Sequence, residues 1–134
     1  MDFVQNNILL FVVALASGAM LLWPFLRRSA GGPWVSAAQA TQLINREDAL
    51  VLDVREPGEY GAGHILGAKN LPLARVASAG EVAKKKDATL ILYCESGDRS
   101  GKAAGELKKQ GYTKVVNLSG GLGAWKQAGL PVER

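Results

Sequence analysis

The sequence predicts an α/β fold: a parallel sheet flanked by helices on both faces, preceded by one N-terminal transmembrane helix. Three observations carry this. Near-continuous apolar runs of strand length stand at Ala49 to Val54, Thr89 to Tyr93 and Lys114 to Leu118, as in strands buried on both faces. Stretches of helical period separate them. An uncharged run of 19 residues, Ile8 to Leu26, precedes them all.

At 1.5 Å per residue that run matches the roughly 30 Å thickness of a bilayer's hydrocarbon core. Trp23 and Phe25 suit an interfacial belt, Arg27 and Arg28 suit headgroups, and Pro24 lies where breaking a helix costs least. No Lys or Arg precedes the run, which argues against a cleaved signal peptide. The expected organisation is therefore an anchor over 1–28 (helix about 8–26), a linker over 29–33 and a domain over 34–134. With the positive charges C-terminal to the span, the domain is expected in the cytoplasm, on a single-pass membrane protein. Ala14 and Gly18 form a small-xxx-small pair, a weak signal for helix pairing.

Within the domain, Ser36 and Gln39 read as a capping box opening a helix through about Arg46, with Ala37, Ala40, Leu43 and Ile44 on one side. Ala68 to Leu71 is a weaker strand candidate. Ser100 to Gln110 reads as a helix with Ala103, Ala104 and Leu107 inward, ended by Gly111. Gly121 to Ala128 reads as a short final helix stopped by Gly129 and Pro131.

Charge excludes little but guides. From Trp34 onward there are 14 Lys and Arg against 11 Asp and Glu, a balance of +3. The one basic run, Lys84-Lys85-Lys86, has no interleaved aromatics and reads as a solvated helix end or loop, so no nucleic-acid partner is expected. One cysteine and one histidine allow neither an internal disulfide nor a Cys/His zinc site, and no metal or cofactor is expected. A lone cysteine is either a small buried hydrophobe or a reactive thiol, and a reducing cytoplasm would keep it free.

The stretch from Thr89 to Ser100, TLILYCESGDRS, points to the reactive thiol. Cys94 stands at the carboxyl end of a buried strand, shortly before a helix that Ser100 can cap. Unpaired N–H groups and the helix dipole favour an anion there, and a thiolate is such an anion. Gly97 lets the loop bend so that N–H groups converge on sulfur, and Arg99 adds a fixed positive charge. The candidate catalytic residue is Cys94, and the candidate substrate-binding loop is Glu95, Ser96, Gly97, Asp98, Arg99 and Ser100. Glu95 and Asp98 place two acids in that loop, which works against binding a dianion. His64 reads as a structural histidine, and Asp53 with Arg55 as a structural ion pair. Arg99 either grips an anion or pairs with an acid to shape the loop. Trp34 and Trp125 read as core or closing residues.

From about Trp34 to Arg134 the sequence resembles the rhodanese homology family. Asp53-Val54-Arg55-Glu56-Pro57-Gly58-Glu59-Tyr60 resembles its first signature, and Gly63-His64-Ile65-Leu66-Gly67-Ala68 with Asn70-Leu71-Pro72-Leu73 the next. Cys94 to Arg99 resembles the active loop, and Gly120-Gly121-Leu122-Gly123-Ala124-Trp125 with Gly129-Leu130-Pro131-Val132 the C-terminal signature. The anchor adds a resemblance to small membrane-tethered bacterial members, which implies a bacterial inner membrane. The resemblance implies a sulfurtransferase in which Cys94 takes sulfane sulfur from thiosulfate or another persulfide donor, a protein persulfide among them. A thiol acceptor or cyanide then receives it. The Cys-x4-Arg loop is one residue shorter than in the phosphatases that resemble this fold, which favours sulfur over phosphate. The other expectation, of a different class, is a catalytically silent, membrane-tethered binding module. Nothing in the sequence indicates an oligomeric state.

Overall fold

The computed structural model describes residues 5–30, 33–95 and 98–134, with the side chains at all of these except 22–30 and 98. It divides into two compact units, Met1–Ala30 and Gly31–Arg134.

The first unit contains the helix α1 (Ile8–Ala30). Its described large apolar side chains are exposed, among them Ile8, Leu9, Leu10, Leu15, Met20 and Leu21. The expectation of a transmembrane helix is corrected here: among the described residues no helix is long and apolar enough to cross a membrane. Side chains of α1 are described from Ile8 to Leu21. The rest of the expected span, with Trp23, Phe25, Arg27 and Arg28, lies outside the residues whose side chains are described. The helix also continues through Ser29 and Ala30, which the sequence assigned to the linker.

The second unit is built around a five-stranded, all-parallel sheet. Its strands are β1 (Trp34–Val35), β2 (Leu50–Asp53), β4 (Lys69–Asn70), β5 (Thr89–Tyr93) and β6 (Lys114–Leu118), ordered β1-β6-β5-β2-β4. Two short strands that the sequence did not announce, β3 (His64–Ile65) and β7 (Val132–Glu133), form a separate antiparallel ribbon. The helices are α2 (Ala37–Glu47), α3 (Pro57–Ala62), α4 (Asp98–Lys109) and α5 (Gly121–Gln127), with a 3-10 segment over Leu73–Glu81. Both bonds of the expected capping box open α2: Gln39 N–H donates to Ser36 Oγ at 3.1 Å and Ser36 N–H to Gln39 Oε1 at 2.9 Å. Proline at the first position of α3 suits a helix start, because its missing N–H is one the helix leaves unbonded anyway.

All five β5 residues are buried, and their alternation supplies both cores. Leu90 and Leu92 face one side with Leu52, Val54, Val76, Ala103, Ala104, Leu107 and Val115. Ile91 and Tyr93 face the other with Ala37, Ala40, Val51, Leu118, Leu122 and Trp125. Burying each Leu or Ile contributes about 1.5–3 kcal/mol. The central strand is therefore the firmest part of the sheet, and the chain leaves it at Cys94. Lys84 to Lys86 lie exposed in a loop, as their charge predicts.

Candidate active site

Cys94 continues the β5 alternation. Its side chain joins Leu90 and Leu92 on the α4 face and is 1% exposed. Its backbone is held from below by α5, where Leu122 N–H donates to the Cys94 carbonyl at 3.0 Å. That approach requires Gly121. Its φ is +59°, and an added Cβ would run into the Cys94 carbonyl oxygen and come within 2.7 Å of the Glu95 carbonyl oxygen. The paired glycines opening α5 thus let a helix start pack directly against the loop backbone.

On one side of the loop lies a buried polar network. Arg55 donates through Nε to Asp53 Oδ1 at 3.0 Å and through Nη2 to Asp53 Oδ2 at 2.7 Å. Nη2 also reaches the Gly63 carbonyl at 2.6 Å, and Nη1 reaches Glu95 Oε2 at 3.0 Å. Tyr93 O–H donates to Asp53 Oδ2 at 2.8 Å and accepts from Ile65 N–H at 3.1 Å. Burial acts to lower the Arg55 pKa, but bonding and charge from Asp53 outweigh it and raise it above the usual value. Burial raises that of Tyr93, so the phenol stays protonated and donates. The expected Asp53–Arg55 ion pair is thus present, and it extends to the loop through Glu95. Glu95 keeps its side chain 59% exposed, yet its negative charge is shared with Arg55.

On the other side stands Arg99, in the first turn of α4. Its Nη1 donates to Glu59 Oε1 at 2.7 Å and its Nη2 to Glu59 Oε2 at 3.1 Å. Glu59 is itself positioned, since Oε1 also accepts Glu56 N–H at 3.1 Å across the first turn of α3. The Arg99 bond and then the Glu56 N–H pull the Glu59 carboxyl down to about 2. The Arg99 pKa is raised, first by the Glu59 bond. Of the two roles open to Arg99, pairing with an acid is the one seen.

The helix start departs from expectation. α4 begins at Asp98, so Ser100 is not its cap but a buried residue of the first turn. The loop between Cys94 and the helix is accordingly shorter than the sequence implied. Ser96 and Gly97, and with them the expected convergence of N–H groups on sulfur, lie outside the described residues, as does the Asp98 side chain. His64 is structural: Nδ1 is 2.9 Å from the Tyr60 carbonyl, Nε2 is 3.1 Å from Glu133 Oε1, and its ring stacks on Tyr60 with centroids 3.8 Å apart. Trp125 is core, its Nε1–H donating to the Pro131 carbonyl at 2.9 Å.

Residues 36–128 match the family described as Rhodanese-like domain. The chain belongs to this family. An uncharacterized Synechocystis protein, slr1261, is 43% identical over 71% of this chain, which spans 53% of that protein's length. A protein named Sulfurtransferase from Allochromatium vinosum is 39% identical over 72% of this chain and 90% of its own length. Among solved structures, the rhodanese-like domain of the Anabaena protein Alr3790 superposes with a TM-score of 0.70 at 28% identity, covering 75% of this chain and 78% of that one. The α/β rhodanese fold, with its parallel sheet and flanking helices, is therefore the fold of this chain.

In this rhodanese-like domain the structure brings Cys94, Glu95, Arg99 and Ser100 to one end of the sheet, with Asp53 and Arg55 beside them. Sequence reasoning did not single out Glu59, Tyr93 or Gly121. Glu59 and Gly121 stood only inside family signatures, and Tyr93 reads as one more apolar strand residue.

Proposed function

We propose that the chain is a sulfurtransferase that carries sulfane sulfur as a persulfide on Cys94. The observation that carries this is the placement of Cys94. It follows the central strand directly, its carbonyl is pinned by α5, and Arg99 stands in the first turn of α4, the next helix of the chain. The named Sulfurtransferase among its relatives supports the same reading. In the first half-reaction the Cys94 thiolate attacks the outer sulfur of a donor. With thiosulfate a new S–S bond forms, the donor's S–S bond breaks, and sulfite leaves with the electron pair; the product is the Cys94 persulfide anion. With a persulfide R–S–SH the thiolate RS⁻ leaves and Cys94 holds –S–SH. In the second half-reaction an acceptor thiolate, or cyanide, attacks that outer sulfur and Cys94 departs as thiolate. With no second cysteine in the chain, the sulfur passes to another molecule.

The test is an intact mass after incubation with thiosulfate or a small persulfide. The parent gains one sulfur atom on Cys94, cyanide removes it, and Cys94→Ser gains none. A folded parent unmodified by either donor would overturn the reading and leave a tethered binding module.

We also propose that the protein resides at a membrane with its domain on the cytoplasmic side, a reading that rests on the exposed apolar side chains of α1 and not on a helix that crosses the bilayer. Fractionation checks it: recovery with membranes is expected, and recovery in the soluble fraction would defeat it.

A further inference from the structure

Two cations flank the segment that leaves Cys94, Arg55 on Glu95 and Arg99 in the first turn of α4, and each already holds a carboxylate. Arg55 is buried and committed to Asp53, with Glu95 on its remaining nitrogen. Arg99 is the accessible one, its side chain 35% exposed, and the acid upon it is Glu59. Both Glu59 oxygens are engaged by the guanidinium, and the Glu56 N–H fixes one of them in place. An incoming anion therefore meets a neutral pair at this side of the loop, not a positive charge. It gains the guanidinium only by displacing a carboxylate that the α3 backbone holds there.

We infer that Glu59 is a positioning residue that sets donor choice, occupying Arg99 so that the site discriminates against dianionic donors and favours persulfides with little charge. This rests on the sulfurtransferase reading. The two donors load the site differently. Thiosulfate attack assembles three negative charges around Cys94 and releases sulfite as a dianion, whereas attack on a neutral persulfide assembles one and releases a monoanionic thiolate. Interactions that grow with developing charge act on the transition state. A neutralised Arg99 therefore withholds more from thiosulfate than from the persulfide. Glu95 and Asp98 are the acids that the sequence pointed to, but the Glu95 charge is shared with Arg55. Glu59, 35 positions before Cys94, is the one that covers the accessible cation.

The single cysteine permits a test independent of sulfur transfer. Alkylation of Cys94 by iodoacetate (anionic) and iodoacetamide (neutral) is timed in the full chain by mass, for the parent, Glu59→Gln and Glu59→Asp. Freeing Arg99 should raise the iodoacetate-to-iodoacetamide rate ratio in Glu59→Gln roughly fivefold, the worth of one partly exposed charge. Salt should shrink that gain, and Glu59→Asp, which keeps the charge, should stay near the parent. The thiosulfate-to-2-hydroxyethyl persulfide ratio of kcat/KM should move the same way, mainly through KM for thiosulfate. Equal slowing or quickening of both alkylations would mean that Glu59 only supports the loop, and would overturn the inference. So would an Asp variant that behaves like the Gln variant, or a Cys94 closed to both reagents. If alkylation shifts as expected but no donor loads sulfur, the charge argument stands and the sulfurtransferase reading falls.

Discussion

The two sides of the Cys94 loop use the same contact, an arginine gripped twice by a carboxylate, in opposite surroundings. The side chains of Arg55 and Asp53 are 4% and 0% exposed, while those of Arg99 and Glu59 are 35% and 37% exposed. In the buried pair neither partner can return to water, so Tyr93, the Gly63 carbonyl and the Arg55 backbone N–H fill the remaining bonding capacity and the whole cluster becomes one rigid piece. In the exposed pair water competes for both partners, so the contact adds little to stability. What it changes is the charge displayed beside the sulfur. One contact type thus serves structure where it is dry and electrostatic tuning where it is wet.

The contrast can be broken most directly at Asp53. Asp53→Asn leaves the Arg55 charge enclosed without its main counter-charge, and a loss of about 3–5 kcal/mol in urea unfolding is expected. A loss below about 1 kcal/mol would mean that the buried pair is no more structural than the exposed one.

A smaller effect is expected where α5 meets the loop. Gly121→Ala places a Cβ against the Cys94 and Glu95 carbonyls from a left-handed backbone. It should cost about 1–3 kcal/mol in thermal unfolding and disturb Cys94 reactivity more than the stability loss explains. Unaltered reactivity would show that the loop does not depend on α5.

The smallest effect sharpens the other side. Glu59→Gln should lower stability at pH 7 by no more than about 1 kcal/mol, because the pair is more than one-third exposed. The folded-state carboxyl lies at about 2 against an ordinary 4.5, so its contribution is present above 4.5 and is lost as pH falls toward 2. The gap between parent and variant should close across that window in chemical unfolding curves. A gap constant with pH would detach it from the Arg99 pair.

Much of the fold was legible because its signals are local. The apolar runs of β2, β5 and β6, the Ser36–Gln39 box and the glycine after α4 each depend on residues within a turn or a strand. The short elements were not legible: β3 and β7 are two residues each and exist only because distant segments meet, His64 opposite Glu133. Ser100 misled for a related reason. A serine before a helical pattern signals a cap, but here tertiary packing draws it into the first turn and buries it. At the site, Cys94 and the loop could be read because strand end, cysteine and helix start are contiguous. Their supports could not be read, since nothing about a glutamate in Glu-Tyr-Gly-Ala-Gly announces that it faces an arginine in another motif.

By itself the sequence determined the alternation of strands and helices, the two-sided burial of the sheet and the placing of the lone cysteine at the end of a buried strand. Those follow from side-chain period and chain order alone. Only the tertiary structure decided which acid each arginine meets. Arg55 reaches Glu95 and Arg99 reaches Glu59 across 40 positions of chain in both cases. Such partners are selected by which strands lie side by side and by how much water remains between them, and neither is a property of neighbouring residues.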